Sequence, residues 1–167
     1  PNNIIALMYL HGTSINKLPR DEIKTLSKTI DKNLWLYFAC KRVFHADNYG
    51  VSAQTTSDQI LKDSYKKQGT PIYVEPAICK KLQQIKAVRY PGVSAYQRSV
   101  ADRIKKTGRI TSASGHTRQF FGRRDDHATI SSGYSEEPQN NTTYATNLAL
   151  LRLWADPENR CEVSNLC

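Results

Sequence analysis

Proline and glycine cut this chain into stretches that read as helices, and that punctuation constrains the fold more than any other feature. Leu18-Pro19-Arg20-Asp21-Glu22 opens a helical pattern, with proline near the first turn and acids behind it, that runs to about Ile30. Asn33 opens a second stretch, about 34–47, which Gly50 breaks. A third, about 55–67, ends at Gly69-Thr70-Pro71. Residues 75–88 read as helical, with Pro76 at an allowed early position. Tyr90-Pro91-Gly92 is a turn, and a helix over about 94–106 follows, ended by Gly108. Arg109-Ile110-Thr111-Ser112 and Thr117-Arg118-Gln119-Phe120-Phe121 flank Ser114-Gly115 and predict a hairpin. Residues 123–134 read as a polar loop. An amphipathic helix is expected over about 142–155, with Asn140 and Asn141 as cap candidates and Pro157 as its stop. The pattern leaves open the state of the apolar run at 4–11. The expectation is a mainly α chain with one small β-hairpin (α+β).

The composition closes off several classes of function. Hydrophobic residues make up 39% of 167, enough for a real core. No apolar run reaches the length of a membrane span, and no signal peptide is read at the N-terminus. The absence of an initial Met points to a trimmed or partial chain. No repeat or low-complexity tract occurs, and no glycine-rich loop joins a strand to a helix, so a P-loop or Rossmann site is not expected. The cysteines, Cys40, Cys79, Cys161 and Cys167, lack metal-ligand spacing. They would allow two disulfides in a secreted basic domain, but Cys40 lies in an apolar helical stretch where a free buried thiol is the common state. A reduced, cytoplasmic protein is expected, and the overlapping sequons at Asn140 and Asn141 are discounted accordingly.

The net charge is +9 and is unevenly placed. Residues 80–124 hold twelve Lys or Arg and one acid, Asp102. The rest of the chain is left with a net charge of −2. A block of that sign attracts a polyanion and releases counterions on binding it; a solvated face with no partner is the bland alternative.

Within the second helical stretch, Lys41, His45 and Tyr49 recur every four residues, and Arg42 adjoins them. At about 100° per residue they share one stripe. Two fixed cations, an imidazole and a phenol on one stripe suit an anionic ligand that carries a sugar or base. The competing reading is a solvated helix face with snorkelling Lys and Arg.

Lys41-Arg42-Val43-Phe44-His45-Ala46-Asp47-Asn48-Tyr49-Gly50 resembles the fingers-helix motif of family A DNA polymerases, in a phage-type form. Three further segments follow in the family's order. Arg89-Tyr90-Pro91-Gly92-Val93, with Tyr96 beyond, is similar to the segment that opens a helix after the fingers. Lys106-Thr107-Gly108-Arg109-Ile110 through Gly115-His116-Thr117-Arg118 is similar to its hairpin, and Glu137-Pro138-Gln139-Asn140-Asn141-Thr142-Thr143 to the segment before its last shared helix. The resemblance covers about residues 19–160.

It implies an internal fragment: fingers over 1–88 and part of the palm over 89–167, with the palm sheet incomplete. It further implies that Lys41, Arg42, His45, Tyr49 and Gly50 hold an incoming dNTP. The family more often has Arg at the first basic position and Lys at the second, where this chain has Lys41 and His45. Imidazole, with an ordinary pKa of about 6.5, makes His45 the candidate general acid toward the leaving pyrophosphate. Ala53 stands where the family often has a second Tyr. Arg109, Arg118, Arg123 and Arg124 would lie along the backbone of primer–template DNA, positioning it without reading sequence. Gln139 or Asn140 would reach its minor groove. The intact enzyme would use Mg²⁺ held by carboxylates in motifs on either side of this region. Asp21, Asp47, Asp125 and Asp126 match neither motif, so no metal ligand is assigned. This polypeptide by itself is expected to bind but not to polymerise. Any processivity factor is left open, the compartment would be the host cytoplasm if the chain is phage-encoded, and the alternative is a stand-alone basic nucleic-acid-binding module.

Overall fold

The helix-breaking residues divide the chain much as expected. The computed structural model describes residues 2–30, 35–68 and 70–156, and the chain is mainly α with one small antiparallel hairpin. Its helices are α1 (Asn2–His11), α2 (Arg20–Lys28), α3 (Trp35–Asn48), α4 (Ala53–Gln68), α5 (Pro76–Arg89), α6 (Pro91–Thr107), α7 (His127–Tyr134) and α8 (Glu136–Ala155). A 3-10 turn, Thr13–Lys17, follows α1. The hairpin strands are β1 (Arg109–Thr111) and β2 (Thr117–Gln119), with Ile110 opposite Arg118. Asn33, Gly69, Pro157, Cys161 and Cys167 lie outside the described residues.

The chain forms two units, 1–99 and 100–167. The sequence reading divided it between 88 and 89, ahead of α6. The core of the first unit joins Leu36, Ala39, Cys40 and Val43 of α3 to Ile60 of α4 and to Cys79, Leu82 and Ile85 of α5. Ile5, Ala6, Leu7 and Met8 of α1 complete it. Four consecutive buried residues make α1 apolar around its axis, so it shows no one-sided stripe for a sequence pattern to find. Ser57 donates to the Val74 carbonyl, and the Ile72 amide donates to Ser64 at 2.8 Å. These bonds tie the segment before α5 along α4.

Two expectations in the second unit are corrected. Residues 123–134 are not all loop: α7 occupies 127–134, capped by the Asp126 carboxylate, which accepts from the Thr129 amide at 3.1 Å. α8 starts at Glu136, not near Thr142, so Asn140 and Asn141 lie inside it and cap nothing. Pro138 sits in the first turn, where a missing N–H breaks no helical bond, and Glu136 and Glu137 suit the positive end of the helix.

Cys40 and Cys79 are free and buried. Burial pushes the Cys40 thiol up to about 12 and raises that of Cys79 as well. Both are expected to resist an aromatic disulfide reagent at pH 8 until the protein is unfolded. The folded state holds the Cys40 proton more tightly than the unfolded chain, where the thiol ionises near 9.0. Stability contributed this way is complete below that pH and is lost as pH rises toward 12. Urea midpoints for wild type and Cys40→Ala across that range should diverge accordingly.

Candidate nucleotide-binding site

The 3.6-residue repeat of α3 separates a buried face from an exposed, polar one. Leu36, Ala39, Cys40, Val43 and Ala46 face the core, which leaves Lys41, His45 and Tyr49 exposed along the opposite stripe. The His45 and Tyr49 rings meet edge to face, with centroids 5.2 Å apart. An open cavity of about 440 Å³ lies against this stripe, lined by Asn2, Lys41, Arg42, Phe44 and His45. That volume falls within the usual range for small-ligand sites, about 300–1,000 Å³. Lys41 has no ion-pair partner among the described residues. Arg42 lines the cavity but is held by Asp63 at 3.0 Å and lies over the Phe38 ring. Of the two cations, Lys41 is thus the one ready to meet an anion.

The end of α3 is built by the residues after Tyr49. Gly50 has φ +68°, its amide donates to the Asp47 carbonyl, and the Val51 amide reaches back to Ala46. This is a Schellman-type closure, and it needs a residue free to adopt positive φ. Gly50 therefore ends the helix immediately beyond Tyr49, as its place in the sequence led us to expect.

Polar side chains from α5 and α6 grip the same end. Lys86, only 1% exposed, donates to Asp47 Oδ2 and to Asn48 Oδ1, each at 2.6 Å, and its Nζ sits 4.9 Å from the Phe44 ring centroid. Gln97 donates to the Asp47 carbonyl at 2.6 Å, and Gln83 to the Val51 carbonyl at 3.0 Å. Tyr90, which alone separates α5 from α6 because α6 begins at Pro91 rather than near Ser94, packs edge-on against Phe44 at 5.6 Å. None of Lys86, Gln83 and Gln97 was singled out from the sequence. The available signal was a lysine at an apolar-periodic position of α5, seven residues after buried Cys79 and four after buried Leu82.

In the second unit Arg109, Arg118, Arg123 and Arg124 are all exposed, but they do not form one row. The register puts Arg109 opposite Gln119 and Arg118 opposite Ile110. Strand side chains alternate, so Arg109 and Arg118 point to opposite faces of the hairpin. Arg118 pairs with Glu136 at 2.6 Å and covers the Phe120 ring. Arg123 pairs with Asp125 at 3.1 Å, and its guanidinium holds that carboxyl below its ordinary pKa. Arg124 donates to the Lys106 carbonyl and packs against Gly108. Arg103 makes a two-pronged pair with Glu137, at 2.7 and 2.9 Å.

Asn140 donates through Nδ2 to Glu136 Oε1 and lies 3.2 Å from His116 Nδ1. Gln139 is exposed. Of the two minor-groove candidates, Asn140 is bound into the fold and Gln139 is presented to solvent. Glu136, buried at 7% exposure, gathers Arg118, Asn140 and His116. The sequence did not mark it, because α8 was expected to begin beyond it. Acids outside the basic block neutralise Lys86, Arg103, Arg118 and Arg123, four of its twelve cations, so the block is less charged than its composition suggests.

Among the described residues no three His, Cys, Asp or Glu are gathered as a metal group. The donor set does not fit the Mg²⁺ that the resemblance implies. No described helix is long and apolar enough to cross a membrane. Compared with protein-family models, with curated proteins and with solved structures, the chain has no match in any of the three.

Proposed function

We propose that this chain is the fingers and part of the palm of a phage-type family A DNA polymerase, and that α3 grips the triphosphate of an incoming dNTP. The observation that carries the reading is the exposed Lys41–His45–Tyr49 stripe beside an open cavity of about 440 Å³. Lys41 meets the phosphates as a point charge. His45, protonated, adds a second positive donor and stands as the candidate acid toward pyrophosphate. Tyr49 offers an aromatic face to the sugar and base. The packing of Tyr90 against Phe44 also supports the reading, because it joins two of the segments that resemble the family. Arg109 and Gln139, exposed in the second unit, remain the best candidates for contact with primer–template DNA. Nucleotidyl transfer would need metal-holding carboxylates that these residues do not provide, so the chain alone is proposed to bind without turnover.

Titration with a deoxynucleoside triphosphate, and separately with primer–template DNA, tests this. The Lys41→Ala/His45→Ala variant is expected to weaken nucleotide binding at least about tenfold, a loss of about 1.4 kcal/mol, and to leave DNA binding in place. DNA binding by the wild type with no nucleotide binding would favour the basic nucleic-acid-binding module instead.

A further inference from the structure

We infer that Lys86 is a positioning residue for Tyr49: with Gln97 and Gln83 it clamps the carboxyl end of α3 and so sets the angle at which the Tyr49 ring meets a bound nucleotide. The identity of the ligand rests on the function proposed above; the clamp itself rests on geometry alone.

The last carbonyls of a helix have no partner within it and need donors from elsewhere. Here the last two receive one from α6, and α5 holds the chain just beyond the helix end. The Gln97 amide reaches the carbonyls of Asp47 and Asn48, at 2.6 and 3.4 Å, and Gln83 holds that of Val51. Lys86 adds a positive charge at the negative end of α3, the favourable sense for the helix dipole. It also holds the side chains of both residues that precede Tyr49, Asp47 and Asn48. A lysine that is 1% exposed is unusual, since burial of a charge is unfavourable unless the charge is well paired. The cation is not needed to fill space, because an apolar side chain of similar length would do that. Its directed bonds pin the two residues before the exposed ring, while the Schellman-type closure at Gly50 pins the residue after it. Tyr49 is therefore held on both sides at the rim of the Lys41–His45 stripe, with its ring against His45.

The test separates positioning from stability. In Lys86→Met/Asp47→Leu the charged pair becomes an apolar pair, and the unfolding midpoint should return close to wild type. Nuclear Overhauser effects between the His45 and Tyr49 rings should nonetheless weaken, and dNTP dissociation constants should rise about fivefold. Gln97→Met, which leaves no buried charge behind, should weaken the ring-to-ring signal in the same direction by less. An unchanged ring-to-ring signal in both variants would overturn the inference and leave Lys86 a purely structural residue. If the two rings separate in the variants but the wild type never binds nucleotide, the clamp is upheld and the nucleotide reading is overturned. Failure of the double variant to fold would pass the decision to Gln97→Met alone.

Discussion

Replacing Lys86 with methionine alone is expected to lower the stability of the first unit by about 3 kcal/mol. Methionine nearly matches lysine in length, so little volume is lost and the effect is electrostatic. The Asp47 carboxylate would keep its charge without its partner, and Asn48 Oδ1 would lose its donor. Removing one member of a buried pair usually costs about 3–5 kcal/mol, and the lower end applies because the Asp47 side chain remains 25% exposed to water. Adding Asp47→Leu should recover most of the loss, because an apolar pair carries no desolvation penalty. Urea unfolding of the three proteins measures both steps. A loss below about 1 kcal/mol in the single variant would place the pair with ordinary surface ion pairs.

Gly133→Ala is expected to destabilise the second unit by about 2 kcal/mol, against the usual preference for alanine inside a helix. A Cβ at this position of α7 would lie 2.5 Å from Ile104 Cδ1, 3.0 Å from Ile110 Cδ1 and 3.2 Å from Val100 Cγ1. All three neighbours are core side chains, none more than 1% exposed, so they have little room to move. Ile104→Val removes the carbon that would clash most, and alone should cost about 1 kcal/mol. In combination with Gly133→Ala it should restore much of the loss, giving a favourable coupling of about 1 kcal/mol or more in a double-mutant cycle. Simple addition of the two losses would mean that α7 shifts freely to accept the methyl group. Amide exchange at residues of α6 and α7 reports on this unit directly.

The same glycine shows why the second unit was less legible than the first. Read along the chain, residues 123–134 are polar and suggest a loop; in space Gly133 marks the place where α7 comes closest to Val100, Ile104 and Ile110. The start of α8 was hidden for a related reason. Glu136 and Glu137 face Arg118 and Arg103, more than fifteen residues away in sequence, and local cap signals at Asn140 and Asn141 pointed elsewhere. By contrast α3 was legible, because its buried positions recur at helical spacing and Gly50 closes it with purely local hydrogen bonds.

By itself, then, the sequence determined the mainly helical class, the hairpin around Ser114-Gly115, and the Lys41–His45–Tyr49 stripe. These depend on periodicity and on residues that permit or forbid particular backbone angles, both of which are local. The tertiary structure alone decided which charges remain available to a ligand. It ties Arg42 to Asp63, Arg118 to Glu136 and Lys86 to Asp47, and leaves Lys41 without an ion pair among the described residues. Ion pairs form between residues that folding brings together, and no spacing along one chain encodes which cation meets which acid.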